Sequence, residues 1–189
     1  VALDVPDLPR EIRNVKRNVK VPVSTAEPWH VWLNYPELAK EVDYLAVHIL
    51  PYWDKKPYNE AVDYTLNTYY GLRKQFPGKR IVIAEFGWPS RGYNRHAATP
   101  RLQNQADIIR GFLAEAHRRG IYYNVIEAFD QPWKAGPEGA VGAFWRNSGG
   151  IARVAPGRFR DDRTPGCARL AWMFEFTPLE AGASCLAVT

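Results

Sequence analysis

Four short runs of this chain are apolar at nearly every position, and each ends in a cluster of carboxylates, aromatics and proline. Val21 to Ala26 leads into Glu27, Pro28, Trp29, His30 and Trp32. Tyr44 to Leu50 leads into Pro51, Tyr52, Trp53 and Asp54. Arg80 to Ala84 leads into Glu85, Phe86, Gly87, Trp88, Pro89 and Ser90. Tyr122 to Ile126 leads into Glu127, Phe129, Asp130, Gln131, Pro132, Trp133 and Lys134. A strand exposed on one face alternates polar and apolar residues. Runs without alternation belong to parallel strands buried on both faces.

Helix-period stripes fill the gaps. Leu8, Ile12, Val15 and Val19 fall at i, i+4, i+7 and i+11, and Leu102, Ala106, Ile109 and Leu113 repeat that spacing. Val62, Leu66, Tyr69 and Leu72 make a third stripe. Pro77-Gly78 and Gly120 supply helix stops. Between Val31 and Glu41 there is room for about two helical turns. The resulting alternation predicts parallel β/α units with right-handed crossovers.

Such units gather function at the carboxyl ends of their strands, and all four polar-aromatic clusters lie on that rim. The 189 residues are enough for one domain with a core but short of the roughly 250 of a closed eight-stranded barrel. The fold class expected is therefore α/β of the (β/α)8 barrel type, present as its last four units over residues 1–145. Residues 146–189 contain no Lys and no Tyr, yet hold both cysteines, Cys167 and Cys185. They are expected to form an irregular tail: a wrap, a disordered end, or sequence read in a shifted frame. The cysteines would pair in an oxidising compartment.

The net charge of +5 is spread over helix faces such as Arg13, Lys16, Arg17 and Lys20, without a basic stripe interleaved with stacking aromatics. A solvated face is the expectation, and no nucleic-acid partner is expected. No run of about 18 apolar residues suggests a membrane span. No CxxC or His/Cys spacing suggests zinc, and neither metal nor cofactor is expected.

With these residues assembled, the chain resembles glycoside hydrolase family 17, the β-1,3-glucanases and β-glucan transglycosylases, most closely in bacterial members. The likeness covers residues 1–145. It sets the four runs as barrel strands five to eight. The stretch Glu85-Phe-Gly-Trp-Pro-Ser90 matches the signature at the seventh strand, where the family keeps its nucleophile; that role carries over to Glu85. Lys134 takes the position of a site lysine, and Gln131 stands where plant members carry glutamate. The family's acid/base is a glutamate after asparagine at the end of strand four. No Asn-Glu pair ends any of the four runs, so the likeness places that strand and its proton donor before residue 1.

A retaining glycosidase needs two carboxyl groups about 5–5.5 Å apart. Glu27 and Glu127 also end strands; both are expected to bind sugar hydroxyls or to support such groups rather than to serve as acid/base. Trp29, Trp32, Tyr52, Trp53, Trp88 and Trp133 are candidate platforms for the apolar face of a pyranose. His48 is expected to be a neutral hydrogen-bonding group of the cleft.

Three functions stay open. The first is a retaining hydrolase or transglycosylase of β-1,3-glucan, weakly active or inactive in this chain alone. The second is a non-catalytic glucan-binding remnant. The third is a metal-dependent sugar isomerase or hydrolase using Glu27, His30, His48, Glu85 and Asp130. The resemblance implies an extracytoplasmic parent: periplasmic, secreted or membrane-tethered. A half barrel exposes two sheet edges, so self-association or a missing N-terminal half is the partner expected besides glucan.

Overall fold

The computed structural model describes residues 5–147 and 186–188. Helix α1 (Leu8–Asn18) is followed by strand β1 (Val23–Pro28), helices α2 (Trp29–Asn34) and α3 (Leu38–Glu41), and strand β2 (Leu45–His48). Helix α4 (Ala61–Gln75), strand β3 (Ile81–Phe86), helix α5 (Leu102–Arg119) and strand β4 (Tyr122–Val125) complete the alternation. A further strand, β5 (Leu186–Val188), lies within the 146–189 segment.

The sheet runs β4-β3-β2-β1-β5, and every pairing in it is parallel. From β1 to β4, strands adjacent in sequence are adjacent in the sheet. Successive right-handed crossovers then always step the same way and lay the helices on one face, as in a barrel; a doubly wound sheet would reverse direction. The four expected β/α units are all present, and α2 and α3 occupy the short second link.

Each helix buries one stripe against the sheet. From α1 the sheet receives Leu8 and Ile12; from α4, Leu66, Tyr69 and Leu72. The stripe of α5 holds in part: Ile109 and Leu113 are buried as the spacing predicts. Leu102, its first residue, is 54% exposed, and the inward face runs through Gln105, Ile108, Ile109, Phe112 and Ala116. Gln105 is tolerated there because its Nε2 donates to the Trp88 carbonyl at 2.7 Å. Gly120 closes α5 with φ +61, where its N–H reaches the carbonyls of Ala116 and His117.

The register of β3 fixes how its end is presented. Ile83 pairs with Val47, but the next pair is His48 with Glu85. On the other side Ile83 pairs with Tyr123 and Phe86 with Val125. Both neighbours therefore skip one residue of β3, which carries a bulge at Ala84-Glu85. Without it, strict alternation would set Glu85 on the buried side of Ile81 and Ile83. The bulge re-aims that side chain, a known use of bulges beside functional sites.

Candidate functional site

The carboxyl ends of β1 to β4 bring together Glu27, His48, Glu85, Glu127 and Lys134. Glu85 leaves the bulge with 36% of its side chain exposed. His48, its partner in register, is 18% exposed and places Nδ1 3.5 Å from Glu85 Oε2. Burial holds the His48 imidazole below its usual pKa, with Glu27 pulling the other way. Burial also raises the Glu85 carboxyl, opposed by Lys134 and reinforced by Glu127. With the imidazole neutral, the contact is not an ion pair at neutral pH.

Glu127 follows β4 across a cis peptide bond from Ile126. It is 8% exposed. Its Oε1 accepts a close hydrogen bond from Lys134 Nζ. Burial works against the Lys134 ammonium, but Glu127, with Glu138 and Glu85, outweighs it and raises the lysine's pKa. Lys134 sits in a one-turn 3-10 helix, Pro132–Ala135, opened by a proline that suits its first position. Glu138 joins the group: burial raises its carboxyl, Lys134 opposes, and Glu127 and Glu85 add to the rise. The sequence reading passed over Glu138. It reaches the cluster because the chain folds back after Lys134, where Glu138 N–H donates to the Lys134 carbonyl at 3.0 Å.

The segment after the cluster straps the rim. Glu127 N–H donates to the Trp145 carbonyl and Asn147 N–H to the Glu127 carbonyl, at 3.0 and 2.9 Å, the pattern of one parallel bridge. Ser90 donates to the Phe144 carbonyl through its N–H at 2.8 Å and its hydroxyl at 3.2 Å. This gives the last residue of the Gly-Trp-Pro-Ser stretch a structural task. The glycine has one too. A Cβ on Gly87 would stand 2.6 Å from the Ile126 carbonyl oxygen and 3.2 Å from Trp145 Cε3. The β3 and β4 ends can approach this closely only with no side chain there.

Burial sorts the candidate sugar platforms and corrects several of them. Tyr52, Trp88 and Trp32 are fully buried, so none offers a ring face to a ligand. Trp88 packs edge-on against Tyr52 at 5.8 Å, and its Nε1 donates to the Thr99 carbonyl. The Tyr52 hydroxyl donates to the Tyr93 carbonyl, and burial pushes its pKa up to about 12. Trp32 Nε1 donates to the Ala46 carbonyl at 3.3 Å. Large apolar rings at a barrel rim fill the space between strand ends and helices, and here that demand takes three of the six.

Three platforms keep access. Trp133 is 72% exposed, and Phe129 is 69% exposed. Trp53 is half-buried and stacks on Trp145 at 6.0 Å and 20°, with the Arg95 guanidinium 5.2 Å from its centroid. Trp29 opens α2, half-buried, and its Nε1 donates to Asp54 Oδ2, which also accepts from the Tyr64 hydroxyl. Glu27 accepts from the Thr25 hydroxyl at 2.6 Å. Gln131 is half-buried and precedes the turn that carries Lys134, its carbonyl accepting from the Lys134 N–H at 2.9 Å. The Asn59-Glu60 pair lies exposed in the 3-10 turn before α4, away from any strand end.

Residues 2–145 match the family model of the BtgE/BtgC glycoside hydrolase domain. The chain belongs to this family. Relatives named as family 17 enzymes are among its matches, as the sequence resemblance implied. The probable family 17 glucosidase SCW4 of Saccharomyces cerevisiae is 29% identical over 126 residues, 66% of this chain and 32% of its own length. A glucan 1,3-beta-glucosidase of Schizosaccharomyces pombe is 26% identical over 143 residues, 70% of this chain and 44% of its own. The chain thus spans less than half the length of these relatives. The crystal structure of the glycoside hydrolase family 17 β-1,3-glucanosyltransferase from Rhizomucor miehei is 28% identical, with a TM-score of 0.68. That match covers 76% of this chain and 53% of the other. A mutant of the same enzyme has been seen with laminaritriose. The BtgE/BtgC-type fold here is accordingly a barrel-type α/β sheet matching about half of a family 17 enzyme.

Proposed function

We propose that this chain carries the nucleophile half of a retaining glycosidase or glucanosyltransferase site for β-1,3-linked glucan. The observation that carries the reading is the bulge at Ala84-Glu85. It turns one carboxylate out of the core at the rim, next to a neutral histidine and within Coulombic reach of Lys134. In this reading Glu85 attacks the anomeric carbon. A carboxyl group of the family's barrel outside the 2–145 match protonates the leaving oxygen and then serves as base. Water or a sugar hydroxyl finally takes the glycosyl group. Glu27, His48 and Gln131 hold sugar hydroxyls, and Trp29, Trp53 and Trp133 meet the apolar sugar faces.

The activities named for the relatives, glucan 1,3-beta-glucosidase and β-1,3-glucanosyltransferase, support this substrate class. The metal-dependent alternative draws no support, because among the described residues no three His, Cys, Asp or Glu side chains stand together as ligands. No described helix is long and apolar enough to cross a membrane. The proposal includes an extracytoplasmic setting, as the resemblance implies. It also includes a further strand-bearing segment or a second copy pairing with the outer strands of the sheet.

Titration with laminari-oligosaccharides, with malto-oligosaccharides of equal length as controls, tests the substrate class. Saturable binding of the β-1,3 series alone is expected. Equal binding of both series, or of neither, overturns it. Products longer than laminaritriose, formed beside the released shorter fragment, would identify transfer; shorter products alone would identify hydrolysis.

A further inference from the structure

We propose that Glu127 is a positioning residue: it anchors the Lys134 ammonium on the Glu85 side of the rim. Its catalytic meaning rests on the reading of Glu85 as nucleophile, but the clamp itself is a matter of geometry. Glu127 is 8% exposed, and a carboxylate so buried needs a paired cation. Lys134 Nζ provides it through Oε1. The second oxygen, Oε2, is buried with no partner among the described residues, so Lys134 is the one cation that compensates this carboxylate there. The lysine is the mobile member. It has a flexible stem, its side chain is 30% exposed, and its turn is a single 3-10 loop at the rim. Without Glu127, water would solvate the ammonium away from the site.

The groups that face Glu85 come from every side. His48 stands on β2, with Glu27 of β1 behind it, and Lys134, Glu127 and Glu138 lie beyond β4. Lys134 favours the ionised Glu85, while Glu127 and Glu138 disfavour it. Glu127 therefore acts in two opposite ways. Its own charge raises Glu85, and the lysine it holds lowers it. Two substitutions separate these effects. Glu127→Gln deletes the charge but leaves a carbonyl able to accept from Nζ. Glu127→Leu deletes both the charge and the anchor.

The test is a pH titration of the full chain with 13C-labelled glutamate side-chain carboxyls, the Glu85 signal being identified by its loss in Glu85→Gln. The expected result is a Glu85 midpoint shifted down in Glu127→Gln and up in Glu127→Leu. Lys134→Met, at an accessible turn, should raise it as Glu127→Leu does. That variant keeps the test decisive should Glu127→Leu fail to fold. Equal downward shifts in both Glu127 variants would mean that the carboxylate acts by charge alone and would overturn the proposal. So would an unmoved midpoint in Lys134→Met. The titration does not require turnover. Loss of the nucleophile reading would leave these shifts intact, and loss of the clamp would leave covalent labelling of Glu85 intact.

Discussion

His48 and Glu85 face each other across β2 and β3 as register partners, with Nδ1 3.5 Å from Oε2. The contact is longer than an ordinary hydrogen bond, and both groups are pushed toward their neutral forms, chiefly by burial. A neutral imidazole beside a carboxylate whose ionised form is disfavoured by burial is an environment tuned for chemistry more than for stability.

The histidine makes the first prediction. Its folded pKa lies below the ordinary value, so the unfolded chain binds the extra proton first as pH falls. The stability it contributes is present above the unfolded pKa of about 6.5 and is lost as pH drops through the folded value. Urea denaturation at several pH values should show a decline below neutrality that His48→Gln flattens. An equal slope in both proteins would mean that His48 titrates as an exposed group.

Glu85 has the opposite sign. Its folded pKa is raised, so its contribution is intact below the unfolded value and is lost as pH rises through the folded one. Glu85→Gln should therefore be more stable than the parent at pH 7, with the gap closing in acid. An active-site substitution that stabilises is the signature of a residue kept for function. A Glu85→Gln protein less stable at pH 7 would show that the carboxylate is a structural ion-pair partner instead.

Gly87→Ala tests the close approach of the β3 and β4 ends. The added Cβ would meet a backbone oxygen at 2.6 Å, and backbone gives way less readily than a side chain. Thermal or urea unfolding should show a loss of about 1–3 kcal/mol, as for other overpacking changes. A neutral result would mean that the 126–127 segment moves freely.

Two tryptophans of similar sequence setting should behave oppositely. Trp88→Ala removes a fully buried ring and should cost about 3–5 kcal/mol of stability. Trp133→Ala removes one that is 72% exposed and should stay within about 0.5 kcal/mol of the parent while weakening laminari-oligosaccharide binding. Unchanged affinity would remove Trp133 from the site.

The order of strands and helices was readable because continuous apolar runs and 3.6-residue stripes are set by local burial, and β1 to β4 follow them. The rim carboxylates were readable for the same reason, since a strand end is visible in sequence. Which aromatic faces a ligand was not. Trp88 and Trp133 both follow a glutamate and precede or follow proline, yet one sits between Tyr52 and α5 while the other stands on an exposed turn. That difference is set by contacts distant in sequence, such as Gln105 Nε2 to the Trp88 carbonyl. The bulge was equally hidden, because Ala84-Glu85 reads as regular strand and only the registers of β2 and β4 reveal the extra residue. Glu138 was hidden because its place in the cluster depends on a loop folding back over Lys134.

Covalent trapping tests the central claim most directly. The chain would be incubated with a 2-fluoro β-glucoside bearing a dinitrophenyl leaving group, which departs without a proton donor. Intact mass and peptide mapping would then be read. The account predicts a single glycosyl adduct on Glu85, absent in Glu85→Gln. An adduct on another carboxylate, or none on a chain shown by circular dichroism to be folded, would contradict it.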